Sequence, residues 1–354
     1  MRAIIDSSRL RPVNCTWELT LRCNLKCRHC GSSAGSCRKN ELSLERALRL
    51  CEELHQLGTR EVTLIGGEPL LSEKWFPVSK KLNEMGIKVN LVSNGTVISA
   101  GIIRRLKQAK INNFGLSLEG NEKTNDFMRG KGIYRKVIST IKLLQKNKIK
   151  ASIATTVSRY NFPVLEDLYK SLLKLNIKVW QIQLAMPVGR MNSDLMLEKK
   201  NLKKLVEFII KVRNGGKIRI FPGCNIGYFG GMEEKYRKQE GEKALPFWTG
   251  CYSGIFEVGI MSDGSVKGCL AMKDKFIEGS IKEKPLKEIW KNDNAFSYNR
   301  KFQKNCLKGF CAKCEFGEIC RGGCPIISEA LTGTTSNDPY CIERVGKEKA
   351  YFKV

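Results

Sequence analysis

Asn14-Cys15-Thr16-Trp17-Glu18-Leu19-Thr20-Leu21-Arg22-Cys23-Asn24-Leu25-Lys26-Cys27-Arg28-His29-Cys30 is the stretch from which the fold is read. Residues 14–20 form a short β-like run. Cys23-x3-Cys27-x2-Cys30 follows directly on it, placing three thiols within eight residues of loop. A structural zinc site takes four ligands, so a zinc reading needs His29 or Cys37 to complete it. A 4Fe–4S cluster held by three cysteines instead keeps one iron open for a substrate or cofactor.

Outward from this stretch, β-like runs alternate with amphipathic helices as far as about residue 221. The strands are expected at 14–20, 61–65, 88–92, 113–118, 150–157, 178–184 and 217–221. Ser43 can cap a helix whose apolar residues Leu44, Ala47, Leu48, Cys51 and Leu54 recur at helical spacing, and Gly58 can end it. Ser72 opens the next helix, and 102–107, 134–147, 165–175 and 202–213 supply the others. Strict β/α alternation implies a parallel sheet with right-handed crossovers, so the class is α/β. Six such units make a partial (β/α)6 TIM-like barrel, with ligand-binding residues at the carboxyl ends of its strands.

Beyond Gly223 the segments are shorter and rich in glycine and cysteine, with a hairpin signal at Ser262-Asp263-Gly264. Such a region has little core of its own and needs metal to hold it. The boundary is expected between residues 230 and 247, where the charged run 233–243 reads as a linker or exposed helix. This divides the chain into residues 1–235 and 236–354.

The chain has 354 residues, long for one ordinary domain, and 42% of them are hydrophobic, enough for a sizeable core. No apolar stretch approaches the roughly 20 residues of a membrane span. The N-terminus has no secretory pattern, so a cytoplasmic protein is expected. There the 15 cysteines should be metal ligands rather than disulfides. They fall into an early group, Cys15 to Cys51, and a late one, Cys251 to Cys341, with only Cys224 between. The charge balance, 62 basic against 35 acidic residues, gives +27. A basic face for nucleic acid, an acidic substrate or an acidic partner would account for it, and so would a general bias toward lysine.

The segment from Trp17 to Cys30 closely resembles the opening of radical S-adenosylmethionine (SAM) enzymes. Membership implies a 4Fe–4S cluster on Cys23, Cys27 and Cys30, whose open iron is chelated by SAM. The reduced cluster then splits SAM into methionine and a 5′-deoxyadenosyl radical that takes a hydrogen atom from the substrate. Gly66-Gly67-Glu68-Pro69, 36 residues after Cys30, resembles the family's glycine-rich turn. The resemblance implies that its backbone approaches the methionine part of SAM and that Glu68 pairs with the ammonium. Ser93-Asn94-Gly95 and Ser117 resemble positions near the ribose and carboxylate of SAM. Arg129, in Asp126-x2-Arg129-Gly130, resembles an arginine that reaches the carboxylate. His29 stands where relatives carry an aromatic near the adenine; a solvent-facing histidine is the plainer reading. Glu119 replaces the aspartate of many relatives and is expected to matter little.

Cys251-x12-Gly264-x4-Cys269, then Cys311-x2-Cys314-x5-Cys320-x3-Cys324 and Cys341, resembles the SPASM extension of this family. Spacing alone also admits two zinc ribbons. The resemblance implies two auxiliary 4Fe–4S clusters, making three in all. Cys311, Cys314, Cys320 and Cys341 would hold the outer one, and Cys251, Cys269 and Cys324 the inner one. The inner set lacks a fourth ligand, for which Cys306 and Cys224 are candidates, and an open iron is the other reading.

Family members modify ribosomally made peptides, mature sulfatases, build cofactors from peptides or trim haem-like tetrapyrroles. Sulfatase maturases carry an acidic residue directly after the second SPASM cysteine, where this chain has Leu270. The expected function is therefore modification of a precursor peptide by hydrogen abstraction. A tetrapyrrole or other small-molecule maturase is the second reading. An iron–sulfur electron carrier or a nucleic-acid-binding zinc protein is the non-enzymatic one. The 22 residues before Cys23 are too few for a leader-binding domain, so peptide recognition is expected to need a separate leader-binding protein or the barrel mouth itself. A low-potential donor such as flavodoxin or ferredoxin is an expected partner. Nucleic acid and membrane are not expected.

Overall fold

The computed structural model describes residues 10–230, 232–237 and 249–351. Seven parallel strands run in chain order: β1 (Asn14–Glu18), β2 (Glu61–Ile65), β3 (Lys88–Ser93), β4 (Asn113–Ser117), β5 (Ala151–Val157), β6 (Val179–Leu184) and β7 (Arg219–Pro222). The connecting helices are α1 (Leu44–Gln56), α2 (Trp75–Glu84), α3 (Ala100–Gln108), α4 (Glu122–Arg129), α5 (Ile133–Lys146), α6 (Leu165–Lys174) and α7 (Leu202–Asn214). This is the partial (β/α)6 barrel expected from the alternation of elements.

The local chemistry is that of the sequence signals. The Ser43 side chain accepts the Arg46 N–H and caps α1, and Gly58 follows its end at φ +79°. Ala47, Leu50, Cys51 and Leu54 form the buried stripe of α1. The second helix starts at Trp75 rather than at Ser72, because Pro69–Leu71 first makes a 3-10 turn. Helix α4 carries no apolar stripe and escaped the periodicity; Asn121 caps it through the Thr124 N–H, and only Asn125 and Met128 of it are buried.

The late region does not stand apart from the sheet. β8 (Glu257–Ile260) pairs in parallel with β1, with Asn14 opposite Glu257 and Trp17 opposite Ile260. The hairpin expected at Ser262-Asp263-Gly264 then turns the chain into β9 (Ser265–Lys267), and β10 (Gly279–Ser280) follows, both antiparallel. One ten-stranded sheet results, in the order β10-β9-β8-β1-β2-β3-β4-β5-β6-β7. Glu18 on β1 secures the hairpin by accepting the N–H and hydroxyl of Ser262.

The charged run expected as a linker or exposed helix is neither over its first part. Residues Glu233–Arg237 form α8, in which Glu233 and Tyr236 are buried. The Tyr236 hydroxyl sits 2.7 Å from the Gly227 carbonyl, which draws this helix inward. The rest of the run, 238–243, lies outside the described residues, as does most of the expected boundary. No helix among the described residues is long and apolar enough to cross a membrane.

Candidate active site

The loop carrying Cys23, Cys27 and Cys30 is tied down on several sides. The Cys23 N–H donates to the Gly35 carbonyl at 2.8 Å, and the Arg28 N–H to Met128 at the end of α4. Arg190, after β6, donates its N–H to the Cys30 carbonyl and its Nε to the Cys27 carbonyl at 3.0 Å. Backbone packing fixes the fourth side. A Cβ on Gly66 would lie 2.4 Å from the Thr20 carbonyl oxygen, and one on Gly67 2.4 Å from that of Arg22. The glycines thus allow the turn after β2 to lie directly against the cysteine loop. That is a structural duty distinct from the contact with SAM that the resemblance implies.

Each of the three sulfurs has a donor. Cys23 receives the Leu25 N–H at 3.4 Å and the Asn94 amide at 3.9 Å. Cys27 receives an Arg129 guanidinium N–H at 3.9 Å, and Cys30 the Ala34 N–H at 3.4 Å. Burial raises the Cys23 and Cys27 thiols, and each also feels the charge of its neighbouring cysteines. Donors aimed at every sulfur favour thiolates and tune a cluster bound to them. Among the described residues no three His, Cys, Asp or Glu side chains gather tightly enough for a single metal ion.

Glu68 is fully buried and already engaged. Its carboxylate accepts the Leu70 N–H, the Ser93 hydroxyl at 2.9 Å and the Asn94 N–H at 2.7 Å. Burial outweighs these bonds and lifts the carboxyl to about 7. Glu68 therefore joins the ends of β2 and β3, and Pro69 opens the short turn beside it. Asn94 in turn reaches both Asn24 and Cys23. Ser117 is half-buried at the end of β4. Asp126 caps the start of α5 by accepting the Gly132 and Tyr134 N–H groups.

Glu119 turns out to be a hub. Fully buried, it receives Arg129 Nε at 2.9 Å and Nη2 at 2.5 Å, His29 Nε2 lies at 3.1 Å, and the Thr156 N–H donates at 2.8 Å. Burial alone would raise its carboxyl; the charges of Arg129 and His29 overcome that and hold it near 2. His29 is thus buried rather than solvent-facing. Its Nδ1 is buried with no protein partner, which leaves a polar atom for a ligand beside the cysteine loop.

The late cysteines form two sets. Cys311, Cys314, Cys320 and Cys341 line one small cavity, walled also by Tyr228, Phe229, Phe310 and Phe316. Gly322 and Gly323, at φ +81° and +84°, let the loop pass Ser336 and Asp338. Buried Asp338 accepts the Cys324 N–H at 2.8 Å and the Tyr340 N–H at 2.7 Å, holding the approach to both sets. Of the expected inner set, Cys324 is buried, and Cys251 and Cys269 are partly buried. Cys306 is not brought to it: it is exposed on the turn Lys304–Cys306, with its thiol 3.8 Å from Asn305 Oδ1. Of the remaining thiols, Cys15 and Cys51 are buried in the core and Cys37 is exposed.

Comparison with known proteins agrees with this geometry. The family model of the radical SAM superfamily matches residues 17–175, and that of the SPASM iron–sulfur cluster-binding domain matches residues 251–315. An AdoMet-dependent heme synthase of Methanosarcina barkeri is 29% identical, the match covering 94% of this chain and 97% of that protein. Mycofactocin maturase MftC of Mycolicibacterium smegmatis is 27% identical over 95% of this chain and 84% of its own. Among solved structures, Streptococcus suis SuiB bound to S-adenosylmethionine superposes with a TM-score of 0.75 at 20% identity, over 94% of this chain and 77% of that one. The chain thus carries a radical SAM domain followed by a SPASM iron–sulfur cluster-binding domain.

Proposed function

We propose that this chain is an enzyme that reductively cleaves SAM and acts on a tetrapyrrole bearing carboxylate side chains. Cys23, Cys27 and Cys30 hold the SAM-binding 4Fe–4S cluster in this reading. Gly66, Gly67, Glu68, Pro69, Ser93, Asn94, Ser117, Arg129 and His29 surround the SAM. Cys311, Cys314, Cys320 and Cys341 hold the outer auxiliary cluster; Cys251, Cys269 and Cys324 belong to the inner one. When bound and reduced, the first cluster supplies the electron that generates the 5′-deoxyadenosyl radical, and a flavodoxin or ferredoxin is the electron source. The protein's part is to pin the cysteine loop, donate to its sulfurs and keep Arg129 and His29 oriented through Glu119.

The observation that carries the substrate assignment is the near end-to-end match with the heme synthase, which spans 97% of that protein. MftC and SuiB are matched over less of their length, 84% and 77%. A net charge of +27 suits a polycarboxylate substrate. The peptide expected from the sequence is the second reading, favoured by the 27% identity with MftC and the fold shared with SuiB. To decide, reduced and iron-loaded protein is given SAM and an iron porphyrin with propionate side chains, and the porphyrin is weighed by mass spectrometry. The proposal expects a porphyrin changed in mass in step with 5′-deoxyadenosine. An unaltered porphyrin, with a precursor peptide modified under the same conditions, would overturn it in favour of the peptide.

A further inference from the structure

Ser253 stands two residues after Cys251, in a loop whose backbone is clamped by the short helix Ser297–Arg300. Asn299 donates its side-chain amide to the Cys251 carbonyl at 2.6 Å and to the Ser253 carbonyl at 2.9 Å. Arg300 donates Nε to the Gly254 carbonyl at 2.5 Å, and the Gly254 N–H donates to the Glu257 carbonyl at the start of β8. The loop so held fixes the buried Ser253 hydroxyl 3.1 Å from the Cys251 sulfur. A free thiol is the donor of this bond. A cysteine that binds iron has given up its proton, so the bond survives ligation only with the serine hydroxyl as donor.

Tyr298, on the same helix, reaches the same place. Its ring packs edge-on against Phe276 with centroids 5.5 Å apart, and its hydroxyl is buried with no hydrogen-bond partner. A Cβ added to Gly268, the residue before Cys269, would lie 2.1 Å from this hydroxyl and 3.0 Å from the Ser253 Cβ. The missing side chain at Gly268 therefore lets the hydroxyl, Ser253 and the backbone leading into Cys269 meet. One short helix thus holds the Cys251 loop by its carbonyls and brings a second hydroxyl up to the Cys269 loop. A buried hydroxyl left without an acceptor is costly and calls for a ligand. The sulfurs of an iron–sulfur cluster are acceptors that fit it.

We propose that Ser253 and Tyr298 are hydrogen-bond donors to the inner auxiliary cluster, Ser253 to the Cys251 thiolate and Tyr298 from beside Cys269. Neither is a ligand; both are positioning residues that stabilise negative charge on sulfur. That charge grows on reduction, so the two hydroxyls raise the reduction potential of this cluster and leave the outer one unaffected. The inference rests on the proposed cluster at Cys251, Cys269 and Cys324, and its test separates the two claims.

The background for the test is the full chain with Cys23, Cys27 and Cys30 all changed to Ala, loaded with iron and sulfide under anaerobic conditions. Two auxiliary clusters give about eight irons per chain. Their midpoint potentials are read by redox titration followed by electron paramagnetic resonance. Ser253→Ala and Tyr298→Phe, each in this background, keep about eight irons and move one potential to a more negative value. The same potential moves in both variants, and the other stays. Ser253→Thr, which keeps the hydroxyl, retains the original value. Because either loss of a hydroxyl can also cost the cluster, 3-fluorotyrosine is also put in place of Tyr298. Its more acidic hydroxyl donates more strongly at nearly the same shape, so the potential moves the other way. A potential unchanged in either variant at full iron, or unmoved by 3-fluorotyrosine, would overturn this inference alone. About four irons in the triple-alanine background would remove the second auxiliary cluster, and the inference with it.

Discussion

Glu119 shows what a single residue does here. Its carboxylate is buried among Arg129, His29 and the Thr156 N–H, and Arg129 also donates toward Cys27. Removing one partner of a buried ion pair costs about 3–5 kcal/mol, because the other charge is left without compensation. Glu119→Gln should therefore lower the melting temperature clearly and reduce iron retention at the first cluster. The pH dependence has a definite sign. The carboxyl titrates near 2 in the folded chain and near 4.3 when unfolded, so its stabilisation is present above about 4.3 and lost as the pH falls toward 2. The unfolding free energy of the unaltered protein should fall more steeply across that window than that of Glu119→Gln. Equal slopes and equal melting temperatures would show that the pair contributes nothing. The sequence offered a hint in the departure from aspartate at this position. It could not reveal that the longer side chain meets a histidine 90 residues away.

At the scale of elements, the turn after β2 depends on close backbone approach. Gly67→Ala would place a Cβ 2.4 Å from the Arg22 carbonyl oxygen, and neither backbone can give way without moving the cysteine loop. Overpacking of this kind costs roughly 1–3 kcal/mol. The expected outcome is less iron per chain and slower SAM cleavage, while the auxiliary clusters remain. A variant with full iron and unaltered cleavage would contradict it. The strands were legible to within a residue or two because each is a short apolar run between polar turns, as at Glu61–Ile65. Helix α4 was not legible, since Glu122, Lys123, Thr124, Asn125 and Asp126 give no apolar period; only the capping Asn121 announces it. Nor was the pairing of β8 with β1 legible, because nothing local in Glu257–Ile260 names a partner some 240 residues earlier.

Across the whole molecule, the two cysteine groups were legible because ligand spacing within a loop is a local property. Cys306, a candidate from its place in the sequence for the inner set, is exposed. The sheet that carries the first cysteine loop continues into β8 and β9, so the cluster-bearing regions share one scaffold. The central claim is that the loop after β1 is where SAM is cleaved. It is tested most directly by measuring 5′-deoxyadenosine formed by the reduced, iron-loaded protein and by the variant with Cys23, Cys27 and Cys30 changed to Ala. The unaltered protein should produce it, and the variant none while retaining about eight irons. Cleavage by the variant at the rate of the unaltered protein, or none by fully loaded and reduced unaltered protein, would contradict the account.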